Sequence, residues 1–229
     1  MTGPPTGRTL LLLGGNEWRP GSEPADSWWL TRASRPEVTV VTSAAQDIPD
    51  TQVTWASAYF RRLAATVVGC RIQTRADAFD PRLVEQLSAA AAIYLCGGDP
   101  GSAQAVLFET PAAAALVAAY RGGVPVAGSS AGAMVLSSSC LVPGEGFGLR
   151  PGMGLFGAVV VPHWSGASRR WTEVATGLAR DHEVVGIDES TGLCWEGKGW
   201  SVRGPGQAVI VAGSGKQEVG EGRPSPPVE

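Results

Sequence analysis

Strands that alternate with helices, each strand running into a loop of small residues, predict an α/β fold: a three-layer sandwich with a mainly parallel sheet. Three observations carry the prediction. Short apolar runs recur at residues 9–13, 38–42, 91–95, 124–127 and 159–161. Stretches of helical periodicity, some opened by a cap residue and a proline, lie between them. Gly14-Gly15, Gly97-Gly98 and Gly128 stand where runs end, and in such sheets ligands bind at the carboxyl ends of the strands.

The order of elements follows from local chemistry. Residues 9–13 (Thr-Leu-Leu-Leu-Leu) read as a buried strand that leaves through Gly14-Gly15-Asn16-Glu17. The next stretch, 18–29, is rich in Pro and Gly and carries three tryptophans, a loop that either lines a site or covers a core edge. Residues 38–42 form a second strand. From about Asp50, Trp55, Ala58, Tyr59, Leu63 and Val67 fall on one helical face, and a strand is expected at 70–74. Asp80-Pro81 is a capping carboxylate followed by a first-turn proline, which starts a helix to about Ala90. The strand at 91–95 ends in Cys96-Gly97-Gly98-Asp99-Pro100-Gly101. Thr110-Pro111 repeats the start signal for an Ala-rich helix that closes at Gly122-Gly123. After the strand at 124–127, a short helix is expected at 131–136, and 137–156 shows no helix or long strand. The run at 159–161 ends in Pro162-His163-Trp164, and Trp171, Val174, Ala175 and Leu178 mark a helix face. Closing strands are expected at 184–187, 192–195, 200–203 and 208–212, the last ones antiparallel.

The 229 residues, 44% apolar and 17% charged, suit one domain over 1–213 with a polar tail at 214–229. A net charge of −3 without like-charge runs points to neither nucleic acid nor a membrane surface. The four cysteines are widely spaced, which argues against a zinc site or a disulfide framework and suits a reducing cytoplasm. No metal and no cofactor are expected. The run Leu10–Leu13 is too short for a signal-peptide core, and no segment approaches bilayer-spanning length. A cytoplasmic protein is therefore expected, with a homodimer left open.

Gly128-Ser129-Ser130-Ala131-Gly132 places the G-x-S-x-G pattern between a strand and a helix, the layout of a nucleophile elbow with Ser130 at its tip. The same pattern also arises as close strand–helix packing. A serine needs a base within hydrogen-bond reach, and the chain holds two histidines. His182, in Arg180-Asp181-His182-Glu183, reads as a solvated turn residue; His163 follows a strand at the sheet edge expected to hold Ser130. A third group should hold the imidazole tautomer. Glu145, in Pro143-Gly144-Glu145-Gly146, and Glu189, in Gly186-Ile187-Asp188-Glu189, compete for that place. The amides of Ala131 and Gly98 are the candidate oxyanion donors.

Taken together, Leu-Cys-Gly-Gly-Asp at 95–99, Gly-Ser-Ser-Ala-Gly-Ala at 128–133, Val-Pro-His-Trp at 161–164 and Gly-Ile-Asp-Glu-Ser-Thr at 186–191 resemble the ordered motifs of the S51 serine peptidases. These include the aspartyl dipeptidases called peptidase E and the cyanophycinases. The resemblance runs from about Leu10 to Ala212 and implies a class I glutamine-amidotransferase-like, flavodoxin-like architecture. It also implies Ser130 as nucleophile, His163 as base, Glu145 at the acidic triad position and Gly98 on the oxyanion loop. The implied activity is hydrolysis of short peptides, Asp-X dipeptides above all, through an acyl-enzyme. The loop begins with Cys96 in place of the usual glycine, and the Asp-Gln-His-Phe and arginine-rich pattern of cyanophycinases is absent. Arg169 and Arg170 are candidates to meet a substrate carboxylate. An α/β-hydrolase esterase and a catalytically silent binding domain are the alternative readings.

Overall fold

The computed structural model describes residues 4–45, 47–143, 147–167, 169–197, 199–212 and 215–219, without the side chains of Arg169, Arg170, Thr172, Lys216 and Gln217. Five parallel strands form the centre: β1 (Leu10–Leu13), β2 (Glu37–Val41), β3 (Thr66–Cys70), β4 (Ile93–Leu95) and β5 (Val126–Ser129). Two later strands extend the sheet beyond β1: β10 (Gly192–Trp195) pairs antiparallel with β1, and β11 (Trp200–Arg203) pairs antiparallel with β10, giving the order β11-β10-β1-β5-β4-β2-β3. The α/β architecture with a mostly parallel central sheet is the one the residue pattern predicts.

β1 shows why both faces must be covered. Its four leucines are fully buried, and alternate residues of a strand point to opposite faces. Leu10 and Leu12 belong to one apolar cluster, Leu11 and Leu13 to another. The first cluster also takes residues from α3 (Pro81–Ser88), α4 (Pro100–Leu107), α5 (Pro111–Arg121) and α6 (Ala131–Leu136). The second is closed by α1 (Glu23–Leu30) and α2 (Pro49–Arg62). Such continuous apolar runs are what a sheet buried on both sides requires.

The caps act as expected: the Asp80 side chain accepts the Arg82 N–H at 2.9 Å, and Thr110 accepts the Ala113 N–H at 3.3 Å. Asp99-Pro100 carries the same signal inside the glycine loop and starts α4, with Asp99 accepting the Ser102 N–H at 2.6 Å. That helix was not expected, nor was α1 in the tryptophan-rich stretch. There Trp18, Trp28 and Trp29 are buried, and Trp18 and Trp29 pack against Tyr94 at centroid distances of 5.5 and 5.7 Å. Those two rings cover the core. The face expected for α2 is also corrected. Tyr59 is buried, but Trp55 stays 46% exposed beneath the Arg19 guanidinium. Ala64 takes a φ of +57°, which ends the helix, so Val67 falls in β3, and the strand expected at 70–74 lies at Thr66–Cys70.

A second sheet holds β8 (Val159–Val161), β9 (Val184–Ile187), β12 (Ala208–Ala212) and β13 (Gly215–Val219) in the order β13-β12-β9-β8. β13 lies within the stretch expected to be tail. β6 (Ser139–Val142) and β7 (Gly148–Pro151) form a short hairpin, and α7 (Arg169–Leu178) connects β8 to β9. β8 and β9 are parallel, with Val161 opposite Gly186, so their outgoing loops emerge side by side. Among the described residues, no single helix is long and apolar enough to cross a membrane. All four cysteines are free and buried.

Asp26 on α1 is fully buried and accepts the Tyr59 hydroxyl at 2.7 Å. Burial, opposed by that hydrogen bond and reinforced by the Glu17 and Glu23 charges, pushes its pKa from 3.8 up to about 7. The folded state therefore holds this proton more tightly than the unfolded state. Its stabilising contribution is complete below pH 3.8 and is lost as pH rises through about 7. Asp26→Asn keeps an acceptor for Tyr59 and cannot ionise. It is expected to be more stable than the wild type at pH 8 and to lose that advantage at pH 4, as read by urea unfolding at both values.

Candidate active site

Ser130 sits where β5 passes into α6, with φ +48° and ψ −115°. Few non-glycine residues adopt this conformation, and it persists where the surroundings enforce it. They do so here through backbone contact. A methyl at Gly128 would come within 2.6 Å of the Gly132 carbonyl group, and one at Gly132 within 2.3 Å of the Leu95 oxygen. The Ser130 N–H donates to the Leu13 oxygen at 2.9 Å, which ties the elbow to β1.

His163 follows β8 in the left-handed region, φ +55° and ψ 37°, and its N–H donates to the Gly14 oxygen at 2.8 Å. This turns the imidazole toward the elbow, with Nε2 3.0 Å from Ser130 Oγ. Gly15 makes room for the ring, since a Cβ there would lie 2.2 Å from His163 Cε1. Nδ1 meets Glu189 Oε1 at 2.7 Å. A carboxylate can only accept. A proton on Nδ1 satisfies this contact, and in the neutral imidazole Nε2 is then left to accept from the serine hydroxyl. Asn16 Nδ2 donates to the other carboxylate oxygen, Oε2, at 2.6 Å, which orients Glu189 from the loop after β1.

The carboxylate that meets His163 Nδ1 is that of Glu189, the competitor in the sequence reading. Glu145 lies outside the described residues. His182 is exposed in the turn before β9, as expected. The histidine and Glu189 side chains are 41% and 49% exposed, so the chain of groups opens to solvent.

Ala131 is the first residue of α6, a position whose N–H has no partner within the helix. Gly98 has φ +143°, and a Cβ there would lie 2.0 Å from the Ala44 oxygen, so no side chain fits. Gly98 and Ser130 line one cleft of about 500 Å³ with Asp99, Met134, His163 and Trp171. The preceding amide, that of Gly97, is committed elsewhere and donates to Glu17 Oε1 at 2.7 Å. The side chains of Arg169 and Arg170 lie outside the described part. Asn16 and Glu17, which bond to residues beside the cleft without lining it, were missed by motif reading. Their signal was position alone, in the loop directly after β1.

Chemically, the arrangement can deprotonate a serine, hold the resulting imidazolium on a carboxylate, and offer amides to a developing oxyanion. Comparison with known proteins places the chain in a family. The model of the family described as peptidase family S51 matches residues 10–203. Two cyanophycinases, from Nostoc sp. and Trichormus variabilis, are each 28% identical over 221 residues, covering 90% of this chain and 74% of theirs. The crystal structure of a peptidase from an acI-B1 Actinobacterium superposes with a TM-score of 0.82 at 26% identity, over 99% of this chain and 97% of that one. A putative peptidase E protein from Listeria monocytogenes EGD-e, at 14% identity, shares the fold with a TM-score of 0.64 over 87% of this chain and 99% of its own.

Proposed function

The chain belongs to peptidase family S51, and from that premise we propose that it is a serine-type dipeptidase acting on short peptides with an acidic first residue. The observation that carries the serine mechanism is the unbroken contact series Ser130 Oγ, His163 Nε2, His163 Nδ1, Glu189 Oε1, at 3.0 Å and 2.7 Å. In this reading Ser130 Oγ attacks the peptide carbonyl carbon and its proton passes to His163 Nε2. Glu189 stabilises the imidazolium, and the amides of Ala131 and Gly98 hold the tetrahedral oxyanion. The C–N bond then breaks, the leaving amine takes the proton from Nε2, and water hydrolyses the Ser130 ester by the same steps.

Support for a short substrate comes from the cleft, whose volume of about 500 Å³ suits a small ligand better than a long chain. Support for an acidic first residue comes from Arg169 and Arg170, which lie in sequence between the cleft-lining residues Ala167 and Trp171. The Asp99 carboxylate, also in the lining, suits a free amino terminus. Asp-X, β-Asp-X and neutral dipeptides, assayed side by side for released amine, test the specificity. Cleavage of Asp-X at least tenfold faster than of Ala-X is expected, since a single charge pair is worth about 1.4 kcal/mol or more. Equal rates, or preference for a neutral residue, would contradict it.

A further inference from the structure

Glu17 takes no part in the Ser130–His163–Glu189 series, yet its carboxylate joins the two backbone segments on which the oxyanion site depends. Oε1 accepts the Gly97 N–H at 2.7 Å, next in the chain to Gly98. Oε2 accepts the Ser129 hydroxyl at 2.7 Å, next to Ser130. The contact is close-packed: a methyl at Gly97 would stand 2.8 Å from Glu17 Oε1 and 3.3 Å from Ser130 Cβ. Glu17 is itself held on both sides. The Gly14 N–H donates to the Thr191 oxygen at 3.1 Å, the Ser190 N–H to the Gly15 oxygen at 2.9 Å, and Trp18 is buried against Tyr94.

Among the described residues no cation pairs with Glu17, and an anion beside a developing oxyanion opposes catalysis by its charge. What the carboxylate supplies is therefore its span: two acceptors on one rigid group, facing one donor from each segment. We propose that Glu17 is a positioning residue that sets the separation of the Gly98 amide from Ser130, locking oxyanion donor and nucleophile into one frame. This rests on the reading of Ser130 as nucleophile. Because a ground-state carbonyl engages the oxyanion site weakly, loss of the frame falls on kcat and leaves KM nearly unchanged.

Two conservative substitutions separate span from charge. Glu17→Gln removes the charge and keeps the span, since its oxygen can accept from Gly97 and its NH2 can donate to the Ser129 hydroxyl oxygen. Glu17→Asp keeps the charge, but is one methylene too short to reach both donors. Steady-state kinetics on a cleaved dipeptide, with thermal unfolding of each variant, are expected to show Glu17→Gln within about threefold of the wild type in kcat. Glu17→Asp is expected to lose on the order of 100-fold in kcat, with KM within about twofold, as ångström-scale misplacement does. Glu17→Ala should fall at least as far, and if it does not fold the Gln and Asp pair decides alone. Wild-type kcat in Glu17→Asp, or a Gln variant as damaged as the Asp one, overturns the proposal. Ser130→Ala, run alongside, keeps the two readings apart. An inactive Ser130→Ala beside an unaffected Glu17→Asp removes only the clamp, whereas an active Ser130→Ala removes the nucleophile and the clamp with it.

Discussion

Alanine at Ser130 is expected to lower turnover of a cleaved peptide by about a million-fold and to leave the fold intact. The hydroxyl is the only group lost. Alanine has the same Cβ, so the strained φ of +48° costs it no more than it costs serine, and the Gly128–Gly132 contact that enforces the elbow is untouched. What remains should be the contribution of the amides and of substrate binding, since those stay in place. Steady-state hydrolysis of the best dipeptide, with circular dichroism to verify folding, measures this. Turnover within tenfold of the wild type would rule out an acyl-enzyme at this serine.

The second large effect is expected at Glu189. Glutamine there presents an NH2 group as readily as an oxygen, so His163 Nδ1 no longer has an obligatory acceptor. The imidazole can then carry its proton on Nε2, facing Ser130 Oγ, where it cannot take the serine proton. A comparable loss of tautomer control lowers kcat by about 10⁴-fold. Glu145→Gln is expected to stay within a few-fold of the wild type. The pair of variants, assayed under identical conditions, assigns the third role. An inactive Glu145→Gln beside an active Glu189→Gln would hand that role to Glu145.

Much of the fold could be read from residue pattern, because strands buried on both faces carry unbroken apolar runs such as Leu10–Leu13, and the Asp80-Pro81 and Thr110-Pro111 starts are local signals with local causes. α1 and α4 escaped for an equally local reason. Their starts at Glu23-Pro24 and Asp99-Pro100 sit inside stretches of glycine, proline and tryptophan that also describe a loop. At the site, Ser130 and His163 were legible because the elbow is a contiguous motif and histidines are scarce. Glu189 and Glu145 were ranked only weakly by the residues themselves, since each is an acid in a loop, and the family resemblance implied Glu145. What distinguishes Glu189 is non-local: β8 and β9 are parallel neighbours with Val161 opposite Gly186, and this register brings the residue three beyond Gly186 beside His163. Asn16 and Glu17 were opaque for the same reason. Their partners, Glu189, Gly97 and Ser129, lie far along the chain and meet them only in the folded sheet. The α/β-hydrolase alternative is removed by the family and its flavodoxin-like fold. The silent-scaffold alternative makes a different chemical prediction from the one argued here.

That difference is read most directly by reacting the protein with a fluorophosphonate and locating the adduct by peptide mass spectrometry. A working Ser130–His163–Glu189 series predicts a single adduct on Ser130, absent in Ser130→Ala and slowed in His163→Ala. A wild-type protein that gains no adduct, or a Ser130→Ala variant that gains the same one, would contradict it.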